Sequence, residues 1–153
     1  MCNDATLHHR LGIWTVEGDP MEGALLAFVG KAGGADVGRR LDAIPFDSRH
    51  RFMAVLIEGQ EGRLAYVKGA PERVLRMCMG IDLQHWHERA EALARRGLRV
   101  LALAERTEDD ERINASRLED GLSFLGLVGL IDPPRPEAIA AVAGAKRRAS
   151  ASR

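Results

Sequence analysis

The sequence has 153 residues and a mass of 16.7 kDa, which is the size of one ordinary domain. Its 22 basic and 22 acidic residues cancel, which argues against a nucleic-acid-binding domain, because such domains carry a basic excess. The longest uncharged apolar stretch, residues 122–131, is far shorter than the roughly 18 residues that cross a membrane. Two cysteines make neither a disulfide framework nor a zinc site.

The first predicted element is a helix that begins after Asp19. Asp19 can cap the helix, Pro20 suits the first helical position, and Glu22 stands where a capping box places an acidic residue. Apolar residues at helical spacing follow as far as Val29, and the glycines from Gly30 onward end the helix.

Further along the chain, short helices and strands do not alternate regularly. The pattern predicts strands at 52–57 and 64–67, joined as a hairpin by the turn at 59–62, helices at 71–78 and 82–97, strands at 98–103 and 124–131, and a last helix at 136–146. The charged segment 107–120 is expected to be a solvated loop with some helix. This order predicts an α+β fold, a layered α/β sandwich in which helices flank a mostly antiparallel sheet.

Lys68 and Gly69 immediately precede the helix that begins at Pro71. Free N–H groups at a helix start favour an anion, glycine lets a ligand approach the backbone, and a lysine ammonium suits phosphate. Lysine is also scarce in this chain, with three lysines against 19 arginines. Taken alone, however, the pattern fits a strand end, a tight turn and a helix cap better.

Phe46 and Arg51 lie close together before the strand that begins near Phe52. An aromatic ring among polar neighbours can stack on a planar ligand, and an arginine can approach a phosphate or the same ring. Spacing alone favours the simpler interpretation, in which Phe46 is an apolar residue that enters the core.

Six motifs follow one another in a recognisable order. They are Cys2-Asn3-Asp4-Ala5, 18–26, 46–53, 68–72, 98–106 and Asp132-Pro133-Pro134-Arg135. Together they resemble the cytoplasmic nucleotide-binding (N) domain of cation-transporting P-type ATPases, of the bacterial type similar to calcium pumps. The resemblance extends to about Ala143. It implies an N-domain fold for residues 1–131 and the start of the connection into a phosphorylation domain at 132–145. The basic, small-residue composition of 146–153 predicts a disordered tail, where the chain has already departed from the family pattern.

The resemblance implies that two residues contact adenine. Phe46 would stack on the base, and Glu22 would accept a hydrogen bond from its edge. The capping-box interpretation of Glu22 stays open beside this role, because one carboxylate can hardly serve both partners.

The resemblance implies that four further residues contact the ribose and phosphates. Lys68, with Gly69 behind it, would line the adenine and ribose pocket and reach toward phosphate. Arg51 stands where the family usually has lysine, so the charge is kept but a planar fork replaces a point charge. Arg106 matches an arginine that is expected near the ribose and phosphates.

The Asp-Lys-Thr-Gly-Thr motif that carries the phosphorylated aspartate of such pumps does not occur in the sequence. The resemblance therefore implies an excised or truncated domain that binds MgATP, with most Mg²⁺ ligands on a missing domain, and presents the γ-phosphate to that aspartate. The chain itself is not expected to turn over ATP efficiently. Its expected partners are adenine nucleotide and the phosphorylation and actuator domains of a parent pump, on the cytoplasmic side of the membrane. We expect no nucleic acid and no membrane contact by this chain.

The alternative is a truncated N-domain-like module that keeps the fold and serves interaction or regulation without binding ATP. The arginine at position 51 and the altered basic tail favour this alternative. A self-sufficient phosphohydrolase is disfavoured, because no aspartate stands in a recognisable nucleophile motif.

Overall fold

A computed structural model of the chain describes residues 2–10, 13–31, 33, 38–60 and 62–131. The elements are β1 (Thr6–Arg10), β2 (Ile13–Glu17), α1 (Pro20–Lys31), β3 (Arg39–Ile44), β4 (Phe52–Gly59), β5 (Gly62–Gly69), α2 (Pro71–Met77), α3 (Leu83–Arg95), β6 (Leu98–Glu108), a 3-10 turn (Ala115–Leu118) and β7 (Ser123–Ile131). The predicted last helix at 136–146, the connection at 132–145 and the basic tail lie outside the described residues.

Strands β3 to β7 form one antiparallel sheet in sequence order, and β1 pairs with β2 in a separate hairpin. Strands β4 and β5 form the predicted hairpin, in which Gly59 pairs with Gly62. Each strand of the main sheet therefore lies beside its neighbour in the chain, and helices lie against the sheet. The predicted α+β architecture with a mostly antiparallel sheet is confirmed.

The core lies on both faces of β4, where six consecutive residues from Phe52 to Ile57 are buried. One face packs with α2, the 3-10 turn and the small residues of β6. The opposite face carries Met53, Val55 and Ile57, against which Cys2 and Tyr66 pack. Because both faces are covered, β4 is an uninterrupted apolar run rather than an alternating one.

Asp19 caps α1 as predicted, and Asp82 caps α3 at the predicted start of that helix. The Asp19 carboxylate accepts hydrogen bonds from the backbone N–H groups of Met21 (2.8 Å) and Glu22 (3.3 Å). The Asp82 carboxylate accepts one from the N–H of His85 at 3.0 Å. These bonds fix the starts of α1 and α3 as their sequences predict.

The sequence patterns miss β1, β2 and β3, and they end β6 too early. The first two strands form an isolated and largely exposed hairpin, and β3 is a sheet edge with Arg39, Arg40 and Asp42 among its six residues. Such strands lack the apolar face that marks a strand in a sequence. Strand β6 extends to Glu108, so the predicted loop loses its first residues, although the 3-10 turn supplies the expected helical part.

Helix α1 packs against the β1–β2 hairpin rather than into the core of the main sheet. Gly23 is the buried residue at this contact, where a Cβ atom would lie only 2.4 Å from the methyl groups of Val16. Among the residues that the structure describes, no helix has the length and apolar character needed to cross a membrane.

Candidate functional site

Four chain segments converge on a cleft of about 500 Å³ at the end of the main sheet. They are the start of α1, the loop between β3 and β4, the end of β5 with the start of α2, and the start of β6. The lining residues are Asp19, Met21, Glu22, Phe46, Arg51, Lys68, Gly69, Ala70, Pro71, Glu72, Arg99, Val100 and Leu101. Five of the six predicted site residues therefore lie together.

Glu22 projects from the first turn of α1, and both oxygens of its carboxylate are engaged. Oε1 accepts a hydrogen bond from Lys68 Nζ at 2.5 Å, and Oε2 accepts one from the Asp4 backbone N–H at 2.9 Å. The capping-box interpretation of Glu22 is therefore wrong, since the carboxylate turns away from Asp19 toward β5. The Asp19 carboxylate provides the helix cap.

Lys68 is a buried cation near the end of β5, opposite Met53 on one side and Leu103 on the other. Its side chain is 10% exposed and that of Glu22 is 15% exposed, so the ion pair is largely shielded from water. The thiol of Cys2 lies in the same region, where burial raises its pKa to about 11 although the nearby Lys68 charge acts in the opposite direction.

Phe46 lies in the loop between β3 and β4 and is 64% exposed. The interpretation that it enters the core is therefore wrong. The loop that carries it is ordered by short bonds, because the Asp47 carbonyl accepts from the Arg51 N–H at 2.7 Å and the Asp47 carboxylate accepts from the Arg49 N–H at 2.7 Å. Phe46 thus presents a ring to solvent from a fixed loop.

Arg51 has a left-handed backbone conformation with φ of 59°, which non-glycine residues rarely adopt. Its carbonyl accepts a hydrogen bond from the N–H of Ala70 at 3.1 Å, and its guanidinium is paired with the carboxylate of Glu72. This pair is open to solvent, unlike the pair of Glu22 and Lys68, with side chains 54% and 45% exposed.

Gly69 is required by the protein backbone itself. A Cβ atom at this position would lie 2.6 Å from the carbonyl oxygen of Arg51 and 2.8 Å from the Cα of Phe52. This close approach of β4 and its preceding loop requires glycine at position 69, whether or not a ligand also approaches the backbone there. Helix α2 has only seven residues, so its N-terminus adds little charge to the cleft. The charges of the cleft are those of the side chains that line it.

Arg106 lies outside the cleft. Its guanidinium is paired with Glu108 and donates to the carbonyls of Arg117 (2.6 Å) and Asp120 (3.1 Å). Along β6 it lies on the same face as Ala102 and Ala104 of the core beneath α2, whereas Lys68 is paired with Leu103 on the opposite face.

Arg99 is the one positively charged residue of the cleft lining that was not among the predicted site residues. The period of two along a strand places residues 99, 101 and 103 on one face of β6 and 102, 104 and 106 on the other. The alternation alone could not distinguish Arg99 from Arg106, because the pairing of Leu103 with Lys68, which shows the face that carries Lys68, is known only from the sheet register.

The lining side chains carry three positive and three negative charges. Arg51, Lys68 and Arg99 stand against Asp19, Glu22 and Glu72. The described residues contain no group of three His, Cys, Asp or Glu that could hold a metal ion. The cleft therefore combines an exposed aromatic ring, which can stack on a planar ligand, with a buried ion pair and solvent-facing charges of both signs.

Comparisons with known proteins identify relatives along most of the chain. Residues 1–137 match the model of a family described as P-type ATPase, cytoplasmic domain N. The cation-transporting ATPase pma1 of Synechocystis sp. is 47% identical over 93% of the chain, and the calcium-transporting ATPase of Bacillus subtilis is 34% identical over 90%. A sodium/potassium exporting P-type ATPase, cta3 of Schizosaccharomyces pombe, is 37% identical over 93%. The chain spans only 18%, 18% and 16% of these three relatives, respectively.

Proposed function

The chain belongs to the family of P-type ATPase cytoplasmic N domains, and from that premise we propose that its cleft binds adenine nucleotide as MgATP. The observation that carries the proposal is the meeting of Phe46, Glu22 and Lys68 at one cleft, although they come from three different segments of the chain. The cleft volume of about 500 Å³ lies within the roughly 300–1,000 Å³ that is common for small-molecule sites.

Adenine is proposed to bind between Phe46 and the pair of Glu22 and Lys68. The Phe46 ring is 64% exposed on an ordered loop, so a base can stack on it without displacing a protein side chain. The Glu22 carboxylate accepts hydrogen bonds and donates none, so it complements the exocyclic amino group of adenine and repels the carbonyl oxygen of guanine at the same place.

The phosphates are proposed to extend toward Arg51 and Arg99, whose side chains line the outer part of the cleft. Arg51 is engaged by Glu72 in a solvent-exposed pair, which a polyphosphate can displace at small cost. Arg106 is not part of the proposed site, because its guanidinium is occupied on the opposite face of the sheet.

The relatives are named as transporters of cations, of calcium, or of sodium and potassium, and each is more than five times the length of the matched segment. We propose that the chain serves such a pump by presenting the γ-phosphate to an aspartate on a separate phosphorylation domain. Mg²⁺ would be held mostly by that domain and by the phosphates. Closure between domains, including an actuator domain, would bring the reacting groups together.

A ¹H–¹⁵N titration with MgATP tests the proposal. We expect shifts clustered at Phe46, Lys68 and Glu22, and a Phe46→Ala variant should lose about tenfold or more in affinity because one stacked base surface is removed. Trp14→Ala is the matched control, since Trp14 is equally exposed at 65% but lies on the β1–β2 hairpin.

Unchanged binding in Phe46→Ala would contradict the proposed adenine site. A dispersed spectrum that does not respond to MgATP would favour the alternative of an interaction module that keeps the fold without binding ATP.

A further inference from the structure

The two walls of the proposed nucleotide cleft belong to different parts of the fold. Glu22 stands on α1, which packs against the β1–β2 hairpin, whereas Lys68 and Phe46 belong to the main sheet and its loops. Beneath α1, the side chains of Leu25 and Phe28 line an apolar cavity of about 350 Å³ against the sheet. The apolar contact between α1 and the sheet is therefore incomplete at this place.

The segment preceding β1 provides polar links between these two parts. We name residues 2–5 the N-terminal strap. The Asn3 side chain donates to the carbonyl of Glu22 at 2.7 Å and accepts from the Ala5 N–H at 2.7 Å. The next N–H in the strap, that of Asp4, donates to the Glu22 carboxylate.

The strap is also tied to the main sheet on its other side. The Cys2 thiol contacts the carbonyl of Met53 on β4 at 3.5 Å. Arg40 on β3 donates to the Asp4 carboxylate at 2.8 Å and to the Asn3 carbonyl at 3.4 Å. The strap therefore bonds to the Glu22 backbone, to the Glu22 carboxylate and to two strands of the sheet.

Asn3 is an unusual residue for this place, because it is a buried polar side chain in which the amide nitrogen and oxygen both have partners. Burying an amide is unfavourable unless its hydrogen bonds are made, and these bonds also define one geometry. A purely apolar residue could fill the same space without fixing Glu22.

We propose that Asn3 is a positioning residue that sets the base specificity of the cleft by fixing Glu22 over Lys68. This inference rests on the proposed adenine site. Without the Asn3 side chain, the turn that presents the Asp4 N–H loosens and Glu22 keeps Lys68 as its remaining partner. A carboxylate held by Lys68 alone can turn about that contact, so it distinguishes less well between an amino group and a carbonyl on the base.

The test compares ATP with GTP in wild type, Asn3→Ala and Asn3→Asp, with MgATP and MgGTP titrated under the same conditions. Wild type is expected to prefer ATP. Both variants should lose affinity for ATP by about five- to tenfold while GTP binding changes little, because one ordered hydrogen-bonding geometry is lost. Asn3→Asp keeps the shape and the acceptor for the Ala5 N–H but removes the donor to Glu22.

Asn114→Ala is the matched control, because Asn114 is the other asparagine and also accepts from a backbone N–H, that of Arg117, outside the cleft. It should leave the ratio of ATP to GTP affinity unchanged. If folded Asn3 variants keep the wild-type ratio, or if Asn114→Ala lowers it equally, the positioning role is overturned.

A nucleotide-free readout separates this inference from the proposed function. In the wild-type background, Glu22→Gln should move the Asp4 amide resonance, because that N–H donates to the Glu22 carboxylate. In the Asn3→Ala background the same substitution should no longer move it. A response that persists overturns the role of Asn3 even if ATP binds, whereas a wild-type chain that binds no ATP overturns the nucleotide site.

Discussion

The two acid–cation pairs in the cleft differ in burial, and this difference decides what each can do. The pair of Glu22 and Lys68 is nearly enclosed, so removing either partner would leave an unpaired buried charge, which is costly. The pair of Arg51 and Glu72 is about half exposed and contributes at most about 1 kcal/mol. The first pair forms part of the wall, and the second can open for a ligand.

Removing the Glu72 carboxylate is therefore expected to tighten MgATP binding. In Glu72→Gln the Arg51 guanidinium no longer has to exchange a carboxylate for phosphate, and affinity should rise by about two- to fivefold at low salt. Titration calorimetry at two salt concentrations measures the change. Glu119→Gln, which breaks an exposed pair with Arg73, is the control. Equal or weaker binding in Glu72→Gln would show that Arg51 does not face phosphate.

The two thiols predict a loss of stability at alkaline pH. Burial raises the pKa of both Cys2 and Cys78 from 9.0 to about 11. The folded state keeps these protons to a higher pH than the unfolded state does. The protonated thiols therefore contribute fully to the stability of the fold below pH 9, and this contribution is lost as the pH rises to about 11. The free energy of unfolding is measured in urea under reducing conditions at pH 8 and at pH 10.5. Between these two values it should fall by about 1–2 kcal/mol less in Cys2→Ala than in wild type. Identical pH dependence in wild type and variant would contradict this.

At the scale of elements, α1 and the β1–β2 hairpin form a unit through the glycine contact at Val16. The hairpin could not be predicted from sequence because its residues are largely exposed and it has no buried face. Helix α1 was predictable because its cap and its period are local features. The element that α1 packs against could not be predicted, because the apolar face of a helix indicates that it is buried and does not indicate which element covers it.

Gly23→Ala is expected to destabilise the fold although alanine favours helices. The new Cβ would lie 2.4 Å from Val16 methyl groups, and such overpacking costs about 1–3 kcal/mol, more than the roughly 1 kcal/mol gained in helix propensity. Adding Val16→Ala should restore stability to about the wild-type level. Thermal and urea unfolding of the single and double variants measures both effects.

Gly30→Ala provides the control for helix propensity in the same element. A Cβ at Gly30 would meet no atom within 4 Å, so this variant should gain stability. If Gly23→Ala is also stabilising, the hairpin does not press on α1 as described.

At the scale of the whole molecule, the proposed ligand would bridge two units that are otherwise linked mainly by the N-terminal strap and the pair of Glu22 and Lys68. MgATP at ten times its dissociation constant should raise the free energy of unfolding by about 1.4 kcal/mol. Hydrogen exchange should slow both in α1 and at the ends of β4 and β5, because the ligand contacts both units. Protection confined to the sheet would place the base away from Glu22.

Local chemistry predicted much of the fold. The hairpin of β4 and β5, the cap of α1 and the antiparallel class follow from glycines, a capping side chain and apolar runs that act over a few residues. The edge strand β3 and the full length of β6 did not follow, because charged and half-exposed strands owe their conformation to neighbouring strands.

The sequence by itself determined the family, because six ordered motifs resemble a P-type ATPase N domain and the chain matches that family along residues 1–137. It also indicated five residues that the fold brings to one cleft. Only the tertiary structure decided that Glu22 pairs with Lys68, that Phe46 stays outside the core, and that Arg99 rather than Arg106 lines the cleft. Motifs name residue types in order, whereas the pairing of strands and the alternation of their faces decide which side chains meet.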